Sequence, residues 1–202
     1  MLNIDDKPEL NMTKKLLLTL AAIFLTYRSV ELVRFLYITH PSQFNWIVAI
    51  AYSFVLNLFI TGIFAFIGFA FFTSRILPNS YYKVKNPRNL TLTYKMLGVE
   101  YFKLLLLKFF WGKERNRKKY FNGSKSGIEE FDIQTRQSEF GHLAAFIVIV
   151  IVSFNILIKG HIVIFSITTL INLIGNLYPI ILQRNHRIQI ERLKLLLNKR
   201  KP

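Results

Sequence analysis

Four stretches of this 202-residue chain are apolar over nearly the length a bilayer demands, and polar residues collect between them instead of alternating with them. Crossing the hydrocarbon takes roughly 20 apolar residues in a helix. Residues 44–72 satisfy this with room to tilt. Residues 140–158 and 162–182 form a second pair joined by Lys159-Gly160-His161, where glycine permits a tight reversal. Residues 14–37 are the weakest span, because Arg28, Glu31 and Arg34 interrupt them. The i, i+3, i+6 spacing brings these charges together and predicts a mutually paired patch near the outer interface. The pattern predicts one all-α membrane domain over residues 1–202, with about four transmembrane helices.

Residues 73–139 separate the two helix pairs. Within them, residues 94–111 are rich in Leu and Phe, carry Lys95, Glu100, Lys103 and Lys108, and end in Phe109-Phe110-Trp111. This predicts one or two amphipathic helices lying in the interface, with lysines reaching headgroups. Lys113-Glu114-Arg115-Asn116-Arg117-Lys118-Lys119 reads as a solvated, lipid-facing run. Asn122-Gly123-Ser124-Lys125-Ser126-Gly127 predicts a turn before the acidic Glu129-Glu130-Phe131-Asp132. No internal repeat is present.

Composition sharpens this picture. Hydrophobic residues make up 52% of the chain, with 19 Phe, and mean hydropathy is +0.33, more than a soluble core of this length requires. Lys and Arg number 27 against 11 Asp and Glu, a formal charge of +16. On an apolar chain that excess points to anionic lipid headgroups as partners and away from nucleic acid, since the basic residues flank membrane spans. Residues 1–10 are polar and no small-residue cleavage site follows the first apolar run, so a cleaved signal is not expected. Cys 0 excludes disulfides and thiol nucleophiles.

Charge also orients the chain. Fourteen Lys and Arg fall within residues 73–139 and seven follow Gln183, whereas the short connections 39–43 and 159–161 hold one between them. The positive-inside rule then predicts a multi-pass cell-membrane protein with both termini, the 73–139 loop and the basic tail 183–202 in the cytoplasm.

The candidate chemistry lies at that cytoplasmic face. Asn172, Asn176, Pro179, Gln183 and Arg187 form one stripe on the last apolar helix, and Thr135, Glu139 and His142 share a face of the preceding one. Ionisable groups are costly within a bilayer, so both stripes should face each other or a wet cavity. His142 suits a general base, and Glu139 one turn away suits its support. Asn176 and Gln183 suit a substrate hydroxyl or developing oxyanion, and Arg184 and Arg187 suit phosphate or carboxylate. No Ser or Cys sits in a nucleophile elbow, which favours direct transfer without a covalent intermediate. Residue types alone leave open that these groups are interhelical glue. Glu139-x-x-His142 resembles half of a carboxylate-bridged metal site, but the second half is missing: His40 and His161 lie at the opposite face, and His186 alone does not complete it. No metal and no bound cofactor are expected.

Thr135-Arg136 with Glu139 and His142, followed after a long interval by Asn176, Pro179, Ile180, Gln183-Arg184 and Arg187, resembles the glycosyl-4,4'-diaponeurosporenoate acyltransferase family of carotenoid biosynthesis. Leu77-Pro78, Tyr81-Tyr82, Phe110-Trp111 and the basic stretch before Gly123 fall in similar order, so the resemblance covers about residues 46–192. Residues 14–37 lie outside it, and Asn185-His186 stands where an aromatic-Asn pair is more usual. The resemblance implies esterification of a sugar hydroxyl on a glycosylated terpenoid or related glycolipid, with acyl-CoA or a similar thioester as donor substrate. It implies a site made of Glu139, His142, Asn176, Gln183, Arg184 and Arg187. The alternative is a non-catalytic membrane module that recruits partner enzymes or anionic lipids through its basic loop.

Overall fold

The computed structural model of the protein describes residues 11–109 and 125–199. Every regular element among them is helical: α1 (Met12–Ile38), α2 (Trp46–Ala70), the short α3 (Asn79–Tyr82), α4 (Pro87–Met96), α5 (Val99–Phe109), α6 (Lys125–Ile158), α7 (Ile162–Asn172) and α8 (Tyr178–Lys199). A π turn, Leu173–Leu177, joins α7 to α8 without a break. Four helical stretches are long and apolar enough to cross a membrane: Met12–Ile38, Trp46–Ala70, Ser126–Ile158 and Ile162–Leu197.

The last two helices are longer than their apolar runs. α6 has 34 residues, about 51 Å, against roughly 30 Å of hydrocarbon. Its polar first turns, including the 125–127 segment expected as part of a turn, are helical. α8 likewise carries the fourth stretch past residue 182. Both helices therefore extend a polar stalk beyond the span, and Glu139 stands where stalk and span meet.

Local chemistry ends each helix. Asn45 caps α2 by accepting from the Val48 N–H at 2.9 Å. Gly160, at φ 83°, makes the α6–α7 reversal that other residues would resist. His161, buried in that turn, bonds through Nε2 to the Leu36 carbonyl at 2.8 Å and ties the second hairpin to the first.

α1 packs along α2, which also contacts α6 and α7. Their shared core comprises Leu36, Ala49, Leu56, Ile60, Ala145, Ile149, Ile156 and Ile164. Small residues allow close approach between membrane helices: Ala49 and Ala145 are fully buried, and a Cβ on Gly62 would lie 2.7 Å from Leu25 Cδ1. Polar bonds add to this, with Asn57 Nδ2 donating to Ser53 O at 2.9 Å and to Thr168 O at 3.2 Å. Of the three charges that interrupt the first span, Arg28 and Glu31 pair, whereas no ion pair among the described residues includes Arg34.

The amphipathic segment becomes two helices, α4 and α5, hinged at Gly98 (φ 64°). Tyr94 and Val99 bury against Ile181 and Leu182 of α8, so these helices dock on the bundle as well as presenting Leu92, Met96, Tyr101 and Leu104 outward. The basic run 113–119, residues 110–111 of the aromatic cluster and residues 122–124 of the expected turn lie outside the described residues.

Candidate active site

The two polar stripes meet, and they sort into two bonded groups. Glu139 of α6 is 0% exposed and receives Arg184 Nε on Oε1 at 2.8 Å and Arg187 Nη2 on Oε2 at 2.6 Å. Arg184 and Arg187 are one turn apart on α8, so one carboxylate bridges both. Arg187, 2% exposed, also donates from Nη1 to the Tyr82 carbonyl at 3.2 Å.

α3 completes this cluster with two aromatic platforms. Arg184 lies 4.6 Å from the ring centre of Tyr81, and Arg187 lies 4.8 Å from that of Tyr82. Arg136 lies 5.0 Å from the same Tyr82 ring centre and donates to Asn79 Oδ1 at 2.6 Å. Burial, then the nearby Glu139 charge, pushes the Tyr82 hydroxyl up to about 12, and burial first raises Tyr81 as well. Both phenols stay neutral near pH 7 and serve as stacking faces, not bases.

The second group lies one turn further along α6. His142 Nδ1 is 3.0 Å from Asn176 Oδ1. Asn176 Nδ2 donates to Asn172 Oδ1 at 2.9 Å and to Thr61 Oγ1 at 3.1 Å, and Asn172 Nδ2 donates to the Phe146 carbonyl at 3.1 Å. This chain has a direction set by its far end. A backbone carbonyl only accepts, so Asn172 must turn its amide nitrogen to Phe146 and its oxygen to Asn176. Asn176 must then turn its own oxygen to His142, which holds the imidazole in the Nδ1–H form. Nε2 is left as the basic nitrogen.

Pro179 explains the π turn beside this group. Proline lacks an N–H, and its ring crowds the carbonyl four residues back in a regular helix. The widened turn relieves that conflict, and the Tyr178 N–H bonds to Leu173 O, five residues back. Pro179 therefore widens the helix locally and leaves α7 and α8 continuous.

The sequence-predicted residues thus occupy one region with partners that differ from expectation. Glu139 was expected to support His142; both of its oxygens are instead taken by arginines, and Asn176 is the partner of His142. Physically, two guanidinium groups offer a buried carboxylate more compensation than one neutral imidazole. Arg187 is enclosed in that ion cluster, whereas Arg184 is half-buried. Gln183 donates to Ser138 Oγ at 3.2 Å at the edge of the region. Thr61, from α2, was not foreseen; a lone Thr in an apolar helix is its only sequence signal. Among the described residues no three His, Asp or Glu side chains gather in a metal-binding group.

Residues 78–194 match the sequence model of the glycosyl-4,4'-diaponeurosporenoate acyltransferase family, CrtO. The chain belongs to this family. The match opens at α3 and takes in Tyr81, Tyr82, Glu139, His142, Asn176 and both arginines, while α1, α2 and Thr61 lie before it. It begins later than the residue 46 expected from sequence. No curated protein and no solved structure matches the chain. The glycosyl-4,4'-diaponeurosporenoate acyltransferase family name thus attaches to the segment that carries the ion cluster and the His142–Asn176 pair.

Proposed function

We propose that this protein transfers a fatty acyl group from a thioester to a sugar hydroxyl of a glycosylated terpenoid, with His142 as general base. The observation that carries the reading is the directed chain from the Phe146 carbonyl through Asn172 and Asn176 to His142, in a chain of an acyltransferase family. Nε2 removes the hydroxyl proton as the oxygen attacks the thioester carbonyl. The tetrahedral intermediate collapses by breaking the C–S bond, and the thiolate takes the proton back from Nε2. Product ester and free thiol leave, and no redox partner is needed.

The remaining residues divide the work. Asn176 acts as the positioning partner of His142. Arg184 supplies positive potential for the developing oxyanion, and Gln183 binds the acceptor sugar. Glu139 and Arg187 hold Arg184 and α3 in place. Both substrates are amphiphiles, and the apolar sides of the bundle offer their tails a lateral route from the bilayer.

Topology belongs to the same proposal. The basic residues between α2 and α6 and after Gln183 put both termini, this site and the interfacial helices at the cytoplasmic surface of the cell membrane, in contact with anionic lipids. The deciding experiment mixes labelled long-chain acyl-CoA and a glycosylated carotenoid with membranes containing the protein, with His142→Ala in parallel. The expected result is label in the apolar lipid fraction, reduced about 10²- to 10⁴-fold by the substitution. Transfer that persists in His142→Ala would refute the base assignment. No transfer to any lipid by the inserted protein would favour a recruiting module.

A further inference from the structure

We propose that the cavity walled by Tyr82 binds the phosphate end of a phosphopantetheine-type acyl donor; this deepens the acyl-transfer reading and rests on it. The cavity holds about 290 Å³ and lies between α3, α6 and α8, on the stalk side of the Glu139 cluster. Lys83, Arg136, Arg187 and Lys194 line it against two carboxylates, Asp132 and Glu191. Asp132 is already neutralised, with Lys194 Nζ on one oxygen at 2.7 Å and Arg136 Nε on the other at 3.3 Å. Lys83 is exposed and joins no ion pair among the described residues, and the buried Nε–H of Arg187 has no hydrogen-bond partner. Net positive charge remains along the wall, with the exposed Lys83 unpaired, and phosphate oxygens answer it.

Position along the helices narrows the ligand. Arg136 and Asp132 precede His142 on α6 by six and ten residues, so the cavity begins about 9–15 Å from the proposed base along the axis. A ligand fixed here by phosphate delivers a carbonyl to His142 only through an extended linker of that length. The pantetheine arm, three segments joined by two amides between phosphate and sulfur, is such a linker. The layout also suits an amphiphile: the cavity belongs to the polar stalk, while residues 140–158 beyond it are apolar. Phosphates stay at the surface as the acyl chain enters the bilayer.

Binding of CoA, which carries the phosphates but no acyl group, tests this without turnover. The full-length protein in phosphatidylcholine nanodiscs is titrated calorimetrically with CoA and with pantetheine. CoA should bind at least about tenfold more tightly than pantetheine and more weakly as salt is raised. Lys83→Glu should weaken CoA about tenfold and leave pantetheine unchanged. Because Lys83 is exposed and unpaired, circular dichroism of this variant should match the parent; Lys194→Gln gives a second variant of the wall. Equal affinity for CoA and pantetheine, or CoA binding unaffected by Lys83→Glu, overturns the proposal. Lys83-dependent retention of phosphatidylglycerol with no CoA binding overturns it in favour of a lipid headgroup. CoA bound at this cavity by a protein that transfers no acyl group supports the cavity and removes the reaction. Transfer with an unchanged donor KM in Lys83→Glu does the reverse.

Discussion

His142 and Asn176 meet at 3.0 Å across α6 and the π turn, and the amide oxygen faces Nδ1 because Asn172 and a backbone carbonyl leave it no other orientation. The basic nitrogen is therefore chosen three groups away. Asn172→Ala should lower kcat about tenfold or more while leaving both KM values near the parent, since no substrate touches Asn172 in the proposed reaction. Asn172→Asp should not restore activity: a carboxylate still accepts from Asn176 but has no hydrogen for Phe146 O. Full activity in Asn172→Asp would show that the bond to Phe146 O is dispensable, since the carboxylate still holds the Asn176 oxygen toward His142. Steady-state kinetics in nanodiscs decides between these.

Glu139 and Arg187 test burial instead of chemistry. Replacing Glu139 with Ala leaves Arg187 enclosed without a counter-charge, at a cost of about 3–5 kcal/mol. The expected readout is a lower unfolding temperature in detergent. Arg187→Met combined with Glu139→Leu should recover much of the loss, because no buried charge remains. A double variant as unstable as Glu139→Ala would mean that the pair is worth more than its apolar substitute.

Tyr82 sets a pH expectation. Its hydroxyl, pushed up to about 12 from an ordinary 10.0, stays protonated in the folded protein after unfolded chains have begun to ionise. The stability that comes from burying the neutral phenol is present below pH 10.0 and is lost as pH rises toward about 12. Tyr82→Phe should flatten this alkaline decline and leave stability at neutral pH nearly unchanged, as measured by denaturant melts across pH. The Tyr82 ring lies against two guanidinium groups, so Tyr82→Ala should be damaging at every pH.

Gly62 predicts a second-site suppressor. A methyl there meets the Cδ1 end of the half-buried Leu25 at 2.7 Å, which must turn aside, so Gly62→Ala should cost up to about 1 kcal/mol in packing α1 against α2. Leu25→Ala should relieve that cost in combination. A double-mutant cycle on thermal unfolding measures the coupling, and simple additivity would show that the helices do not touch at this point.

Much of this architecture can be read from residues alone, because a bilayer imposes length and polarity on each span. The four apolar runs and the two facing stripes follow from those constraints. The helical stalks do not, since residues 125–139 carry no apolar run to mark them and are held by packing against α8. The partner of Glu139 was ambiguous for a related reason. Spacing puts His142 one turn away on the same helix, but Arg184 and Arg187 reach it only once α6 and α8 are paired. Thr61 enters through the same tertiary step, from a helix in which nothing but its hydroxyl distinguishes it.

The π turn at Leu173–Leu177 gives the fourth span two phases. One residue beyond the α-helical repeat turns everything after it by about 100° relative to an uninterrupted helix. Asn172 is aimed by the first phase, Asn176 stands in the turn itself, and Arg184 and Arg187 follow the second. Removing a single residue here would leave both halves helical and apolar, yet swing the arginines off Glu139. The chain thus carries a rotational offset that separates the aim of its imidazole from the anchoring of its ion cluster, and each can be adjusted in its own half of the rod.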